Sequence, residues 1–465
     1  MELFFVALLV LIMAGALGMG FPVAFALPGA AILTIGVASL TGAVFAGDVG
    51  AYFAQDGPVQ WLTAGVTNFR GVYWEVERDT LIAVPLFVFM GIMLQRSKIA
   101  EDLLVTMAQL FGPVPGGLGI SVVFVGALLA ATTGIVGATV VAMGLISLPA
   151  MLRNNYSKPL ATGTIAASGT LGILLPPSIM LVVMADLLGT SAGGLFLAAV
   201  VPSLLLACLY MLYILVRTSL NPKLAPPLVS KVDDEPLSIL MVVRSFVPPL
   251  VLIIAVLGSI FGGFATPTEA SGVGAFGALM LALVRGELKF QTLKDVVEQS
   301  TLTTTMLFGL FVGATAFSYV FALLGGHDQI LEIIQASGTS AWVVLLILMI
   351  AVFLLGFFFD WIEITLIILP VFAPIIAHLD FGTHLPDPSM TTMWFAILMA
   401  VNLQTSFLTP PFGFALFYMK GAAGDMVSLK DIYRGIIPFV FLQISGLTAV
   451  LMWPEIALWL PGLSR

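Results

Sequence analysis

Charge is scarce in this 465-residue chain. Lys, Arg, Asp and Glu together make up 9% of it, while 60% is hydrophobic. A soluble globule carries about a quarter charged residues to face water, so that class is excluded. Cysteine is nearly missing: the single Cys208 lies in an apolar run, which rules out a disulfide within the chain. Histidine is thin as well. His327, His378 and His384 are scattered over polar stretches without the spacing of a metal cluster. No phosphate loop, nucleophile triad or long basic run is present, so neither an enzyme, an ATPase nor a nucleic-acid binder is expected. The strand alternation that a membrane barrel needs is also lacking. The opening MELFFVALLVLIMAG has no basic flank, and it reads as a retained first span instead of a cleaved signal.

What is present is one long apolar run after another, which makes the chain an all-α polytopic membrane protein that contacts lipid along its length. Leu3 to Phe45 is too long for one crossing, and Gly18, Gly20 and Pro22 divide it into two. Gly47 to Asp79 mixes Tyr, Trp and charge, as an interfacial arm does. Thr80–Leu94 spans, and Ile99–Gln109 forms a short amphipathic helix. Residues 218–236 form a polar linker, 237–295 hold two further spans, and Ile436–Leu460 ends the chain as one span. Gly325–Ser340 and His378–Ser389 read as polar loops. Thr266-Pro267-Thr268-Glu269 reads as a helix start, with a capping Thr, a proline at the first position and Glu in the first turn.

Two stretches stand out, because they are apolar yet rich in residues that break helices. The first runs GALLAATTGIVGATVVAMGLISLPAM, then ATGTIAASGTLGILLPPSIM. The second runs GFFFDWIEITLIILPVFAP, then MAVNLQTSFLTPPFGFALFYMK. Each is a pair of short apolar legs followed by a longer segment interrupted at Pro-Pro. The legs Leu118–Ala131 and Ile135–Pro149, at about 22 Å each, fall short of a ~30 Å hydrocarbon core, so a re-entrant hairpin is expected. The second hairpin covers residues 342–377. The interrupted crossings are 160–188 and 391–419. A diproline removes two N–H donors, and in hydrocarbon the freed carbonyls must find protein, water or an ion. Aligning the two breaks sets Gly172 opposite Ser406 and Leu175 opposite Thr409. Interrupted helices at matching places in two halves point to the binding site of a secondary transporter.

Positive charge orients the trace. If the Arg96 loop is cytoplasmic and both hairpins are re-entrant, all of the 17 Lys and Arg except Arg70, Arg78 and Arg465 fall on the cytoplasmic side. The halves 80–217 and 296–434 are then inverted repeats.

GLISLPAM, ASGTLGILLPPSIM, FATPTEA and NLQTSFLTPPFG, in that order, resemble the large membrane subunit (DctM-type) of tripartite ATP-independent periplasmic (TRAP) transporters over nearly the whole chain. The resemblance implies an elevator-type, sodium-driven uptake permease of the bacterial inner membrane. It also implies a small four-span partner subunit, and a periplasmic substrate-binding protein that delivers an organic acid. Many relatives carry Ser-Gly-Ser-Ser at the first hairpin tip. This chain has Thr133-Gly134-Ile135-Val136, so Val136 offers only a carbonyl.

Sodium needs about five or six oxygen ligands, which unwound backbone supplies. No other cofactor is expected. Two pseudo-symmetric sodium sites follow: Thr133 and Val136 with Gly172, Leu175 and Pro177; and Gly356 and Asp360 with Ser406, Thr409 and Phe412. The organic acid is expected between the tips, near Gly137, Ser168, Asn402 and Gln404. Asp360 and Glu363 are the sharpest single residues, since carboxylates at membrane depth default to function. A capping role at the start of the following helix weighs equally. A stand-alone sodium- or proton-coupled anion symporter is the alternative, and a channel the third reading.

Overall fold

The computed structural model describes residues 2–46, 79–134, 136–227, 239–385 and 387–463. Most of the expected arm (47–78) and residues 228–238 lie outside them. Every regular element among the described residues is helical. Helix α1 (Glu2–Gly18) ends at its glycine, and α2 (Val23–Ala46) starts after Pro22. Helices α3 (Asp79–Arg96) and α4 (Ile99–Phe111) bend by 62° at a turn where Lys98 takes a left-handed φ of 56°. The first hairpin is α5 (Gly117–Thr133) and α6 (Val136–Arg153). Helix α7 (Lys158–Thr170), a 3₁₀ turn (Leu171–Ile173) and α8 (Ile179–Leu187) make the first interrupted crossing. Then come α9 (Ala192–Leu220), α10 (Ile239–Phe261), α11 (Pro267–Val284), α12 (Phe290–Leu323), α13 (Gly326–Ser337), α14 (Ala341–Leu355) and α15 (Trp361–Ala377). The second interrupted crossing is α16 (Thr391–Leu408) with α17 (Phe414–Ala423), and α18 (Leu429–Met452) and α19 (Glu455–Leu463) close the chain.

Several boundaries differ from the sequence expectation, each for a local reason. Helix α6 does not stop at Pro149 but runs on to Arg153, whose Nε donates back to the Pro149 carbonyl at 3.2 Å. Legs of 17 and 18 residues reach about 26 Å, so leg length alone no longer separates a re-entrant loop from two short spans. The expected single final span is two helices, because Pro454 cannot continue the ladder of α18. Helix α12 starts at Phe290, so the end of the stretch 237–295 already belongs to the next helix. Gly325–Ser340 is not a loop: GHDQILEIIQAS places Ile330, Leu331, Ile333 and Ile334 at helical spacing and folds as α13. The capping box at Thr266 is present. Thr266 Oγ1 accepts from the Glu269 amide (3.3 Å), and a Glu269 carboxylate oxygen accepts from the Thr266 amide (2.8 Å). Seven described helices are long and apolar enough to cross a membrane, or eight if the bent α3–α4 pair is one span.

The chain forms two compact units. One comprises residues 1–81, 303–348 and 361–392; the other holds 82–302, 349–360 and 393–465. In the first, prolines inside helices free carbonyls that neighbours then cover. Pro28 leaves the Ala24 carbonyl without an intrahelical donor, and Gly313 of α12 lies directly against that oxygen. Pro374 does the same to the Pro370 carbonyl, which accepts instead from His327 Nε2–H of α13 at 3.0 Å. His327→Ala should therefore lower stability by about 1–3 kcal/mol, the cost of an orphaned buried acceptor. His327→Gln should recover part of it. Thermal unfolding in detergent reads both.

In the second unit, α4 is strapped to its neighbours. Arg285 Nη1 meets Asp102 Oδ2 at 2.6 Å, Lys98 meets Glu287 at 3.3 Å, and Thr106 Oγ1 donates to Ser245 at 3.1 Å. The entry to the hairpin is fixed by Tyr156, 4% exposed, whose hydroxyl accepts from the Leu118 amide at 3.1 Å. Burial pushes this phenol up from 10.0 to about 12. A raised folded pKa stabilises fully below the unfolded value and is lost as pH rises through the folded one. Stability should thus fall between pH 10 and about 12, by roughly 2–3 kcal/mol from this group. Tyr156→Phe, followed by alkaline unfolding, should remove that part of the slope.

Candidate functional site

Both breaks lie in the second unit, and each rests against a hairpin. The Pro176–Pro177 and Pro410–Pro411 peptide bonds are both cis. At the first break the 3₁₀ turn holds Gly172 against the Ala130 carbonyl of α5, so closely that no Cβ would fit. One turn earlier Gly126 faces Ser168 of α7 in the same manner. The hairpin turns at Gly134, with φ +61°, and there it touches Ile179, the first residue of α8. Tip and break are therefore in contact. Thr133 and Val136 sit on either side of the turn, as last residue of one leg and first of the other.

The second break repeats this with different chemistry. Ser406 Oγ donates to the Phe353 carbonyl of α14 at 2.5 Å, and Asn402 Nδ2 donates to Met349 O at 2.7 Å, one turn back. Gly356 faces Ser406, and the rings of Phe358 and Phe412 lie 5.4 Å apart. In both halves, then, two positions one turn apart before the break grip two backbone positions one turn apart in a hairpin leg. The first half uses close glycine contact; the second uses side-chain donors.

Some freed backbone is satisfied internally. Ser178 Oγ donates to Ile173 O (2.7 Å), Leu175 N to Leu171 O (2.9 Å) and Gly413 N to Thr409 O (3.1 Å). Tyr433 Oη donates to Pro411 O at 2.7 Å. Other carbonyls are left over. Among the described residues, those of Leu175, Pro177, Pro410 and Phe412 accept no hydrogen bond. Leu175, Pro177 and Phe412 are among the residues singled out for cation binding. Unpaired carbonyls beside a hairpin tip are the donor set that a hard monovalent cation takes.

The expected organic-acid residues separate. Gly137 lies under the ring of Tyr418, a residue of α17 that sequence reasoning passed over in the apolar run FALFYMK. Its signal was the glycine that makes room for it. Ser168 Oγ donates within its own helix, to Ile165 O at 2.9 Å. Asn402 is committed to α14, and Gln404 turns away to Gln443 of α18. Lys420, two residues beyond Tyr418, donates to the carbonyls of Gly424 and Val427 at 2.5 and 3.1 Å, which caps the end of α17. Gly137→Val should drive Tyr418 off the first tip and cut transport at least tenfold. Gly137→Val with Tyr418→Ala should recover part of the loss; initial uptake rates check both.

Three comparisons bear on this site. A protein-family model described as "Tripartite ATP-independent periplasmic transporter, DctM component" matches residues 8–456. The C4-dicarboxylate TRAP transporter large permease protein DctM of Pseudomonas aeruginosa is 32% identical over 387 residues, covering 83% of this chain and 87% of that one. The ectoine TRAP transporter large permease protein TeaC of Halomonas elongata is 28% identical over 390 residues, covering 84% and 88%. Among solved structures, the YdaH transporter of Alcanivorax borkumensis matches with a TM-score of 0.58 at 16% identity, over 87% of this chain and 90% of that one. That last likeness is one of fold.

Proposed function

Because the chain belongs to the DctM component family of tripartite ATP-independent periplasmic transporters, we propose that it is the large permease subunit of a sodium-driven importer of a small organic acid. The protein is a multi-pass membrane transporter, not an enzyme. Its place is the bacterial inner membrane. It works there with a small four-span membrane subunit, and with a periplasmic binding protein that brings the acid. The observation that carries the reading is the pair of unpaired-carbonyl breaks, each pressed against a hairpin tip within one compact unit. Sodium is held by the tip at Thr133 and Val136 with Gly172, Leu175 and Pro177, and by Gly356 and Asp360 with Ser406, Thr409 and Phe412. Mostly neutral backbone oxygens suit sodium, and Asp360 adds one full charge.

The cargo lies between the tips, beside the Tyr418 ring that covers Gly137. A carboxylate is consistent with relatives named for a C4-dicarboxylate and for ectoine. Lys420 is engaged elsewhere, so neutral donors meet the cargo, and the soluble protein does most of the selecting. The test is reconstitution of both membrane subunits in liposomes with the binding protein. Uptake of a radiolabelled carboxylate panel is expected only with the binding protein and an inward sodium gradient. Uptake that needs no binding protein, or that follows a pH gradient with sodium absent, overturns the proposal.

A further inference from the structure

Behind the second break, three polar side chains from three helices meet in apolar surroundings. Tyr210 of α9, Gln404 of α16 and Gln443 of α18 are each 0% exposed. Gln443 Nε2 donates to Gln404 Oε1 at 3.4 Å. That bond consumes one amide nitrogen and one amide oxygen of the pair. Gln404 Nε2 and Gln443 Oε1 are left over, and neither has a partner among the described residues. Turning both amides end for end changes which residue owns the spare atoms, but one nitrogen and one oxygen always remain. Tyr210 Oη is the third orphan. Its ring is held edge-on by Phe439, which sits one turn before Gln443 on α18, centroids 5.3 Å apart.

The mixture of donors and acceptors decides what these atoms suit. A cation would satisfy the oxygens and be repelled by the spare N–H₂ group. An anion would satisfy the N–H₂ and be repelled by the amide oxygen. An apolar molecule would satisfy nothing. A species that both donates and accepts serves all three, and immobilising one water costs less than three unpaired buried groups.

We propose that Tyr210, Gln404 and Gln443 form an internal binding site for one structural water molecule. It accepts from Gln404 Nε2–H and Tyr210 O–H and donates to Gln443 Oε1. Three hydrogen bonds is the usual number for a buried water. Gln404 lies six residues before Pro410, about 9 Å along the helix axis. The water therefore ties the half-helix before the break to α9 and α18, and makes that half-helix a rigid post against which the tip grips.

Two measurements test this. Cryo-electron microscopy of the intact transporter, at a resolution that shows ordered water, should reveal one density within hydrogen-bonding distance of all three atoms. It should persist equally in NaCl and in KCl. Missing density overturns the site, and density seen in NaCl alone assigns it to a cation and overturns it too. Thermal unfolding of full-length Gln404→Leu, Gln443→Leu and the double variant gives the second arm. Each single change strands the other groups and should lower the midpoint by several degrees. The double variant should lose clearly less than the sum. Strictly additive losses overturn the shared water. If a variant fails to fold, the density in the native protein still decides.

Discussion

Replacing Gly435 with alanine is expected to leave little folded protein. Helices α7 and α18 cross with backbone against backbone. A Cβ on Gly435 would fall onto the Pro159 carbonyl, and one on Gly163 onto the Gly435 carbonyl. Neither obstacle is a flexible side-chain end that can swing aside, so the helices must separate. Overpacking a core commonly costs about 1–3 kcal/mol. A backbone-to-backbone clash, which no rotamer change relieves, belongs to the rare class above about 4–5 kcal/mol. Gly163→Ala should behave alike. Gly421→Ala in α17 is the control: nothing lies within 4 Å of its Cβ position, so alanine should be neutral, or stabilise by up to about 1 kcal/mol through helix propensity. Monodisperse yield on size exclusion and the unfolding midpoint distinguish these outcomes. Normal yield of Gly435→Ala would show that the crossing is looser than described.

The second large effect concerns activity. Asp360→Asn should reduce sodium-driven uptake by at least a hundredfold while leaving yield and unfolding midpoint near wild type. Asp360 brings the one full negative charge in the two proposed ligand sets. A unit charge about 4 Å from another contributes about 4 kcal/mol at an effective dielectric of 20, or close to three orders of magnitude in affinity. Uptake by the variant should be partly restored by raising external sodium, because the carbonyl ligands remain. If Asp360 merely caps α15, as its place just before Trp361 also allows, the midpoint falls and uptake keeps its sodium dependence. Were uptake instead to lose its dependence on a pH gradient, the carboxylate would be a proton carrier and the coupling ion a proton.

Much of the helical plan was legible, because apolar runs of membrane length and their Gly and Pro punctuation are written residue by residue. The division at Gly18–Pro22, the capping box at Thr266 and the two interrupted crossings all follow from local chemistry. What failed was local signal overruled by context. Pro149 looked like a stop, yet its helix continues to Arg153, because a proline frees only the carbonyl one turn before it, at Leu145, and leaves the turn after it intact. The polar stretch around His327 looked like a loop, yet its sparse aliphatics sit at helical spacing and its imidazole fills the gap left by Pro374. The contact between tips and breaks was legible as an alignment of small residues. Which atoms do the gripping was not: Gly172 and Ser406 occupy equivalent places and act through shape in one half and a hydrogen bond in the other. Tyr418 and Tyr433 gave no periodic signal, since one aromatic in an apolar run is indistinguishable from packing until its neighbour is known to be a glycine or a bare carbonyl.

Helix α6, from the first half, lies along α17, from the second: Gly137 under Tyr418, Gly144 under Ala422. Each half lends the other a surface it lacks. Either half on its own would leave that glycine-lined face of α6, or the Tyr418 and Ala422 side of α17, uncovered. The protein, cut between residues 227 and 239 and expressed as two pieces, should regain transport only when both pieces are made together.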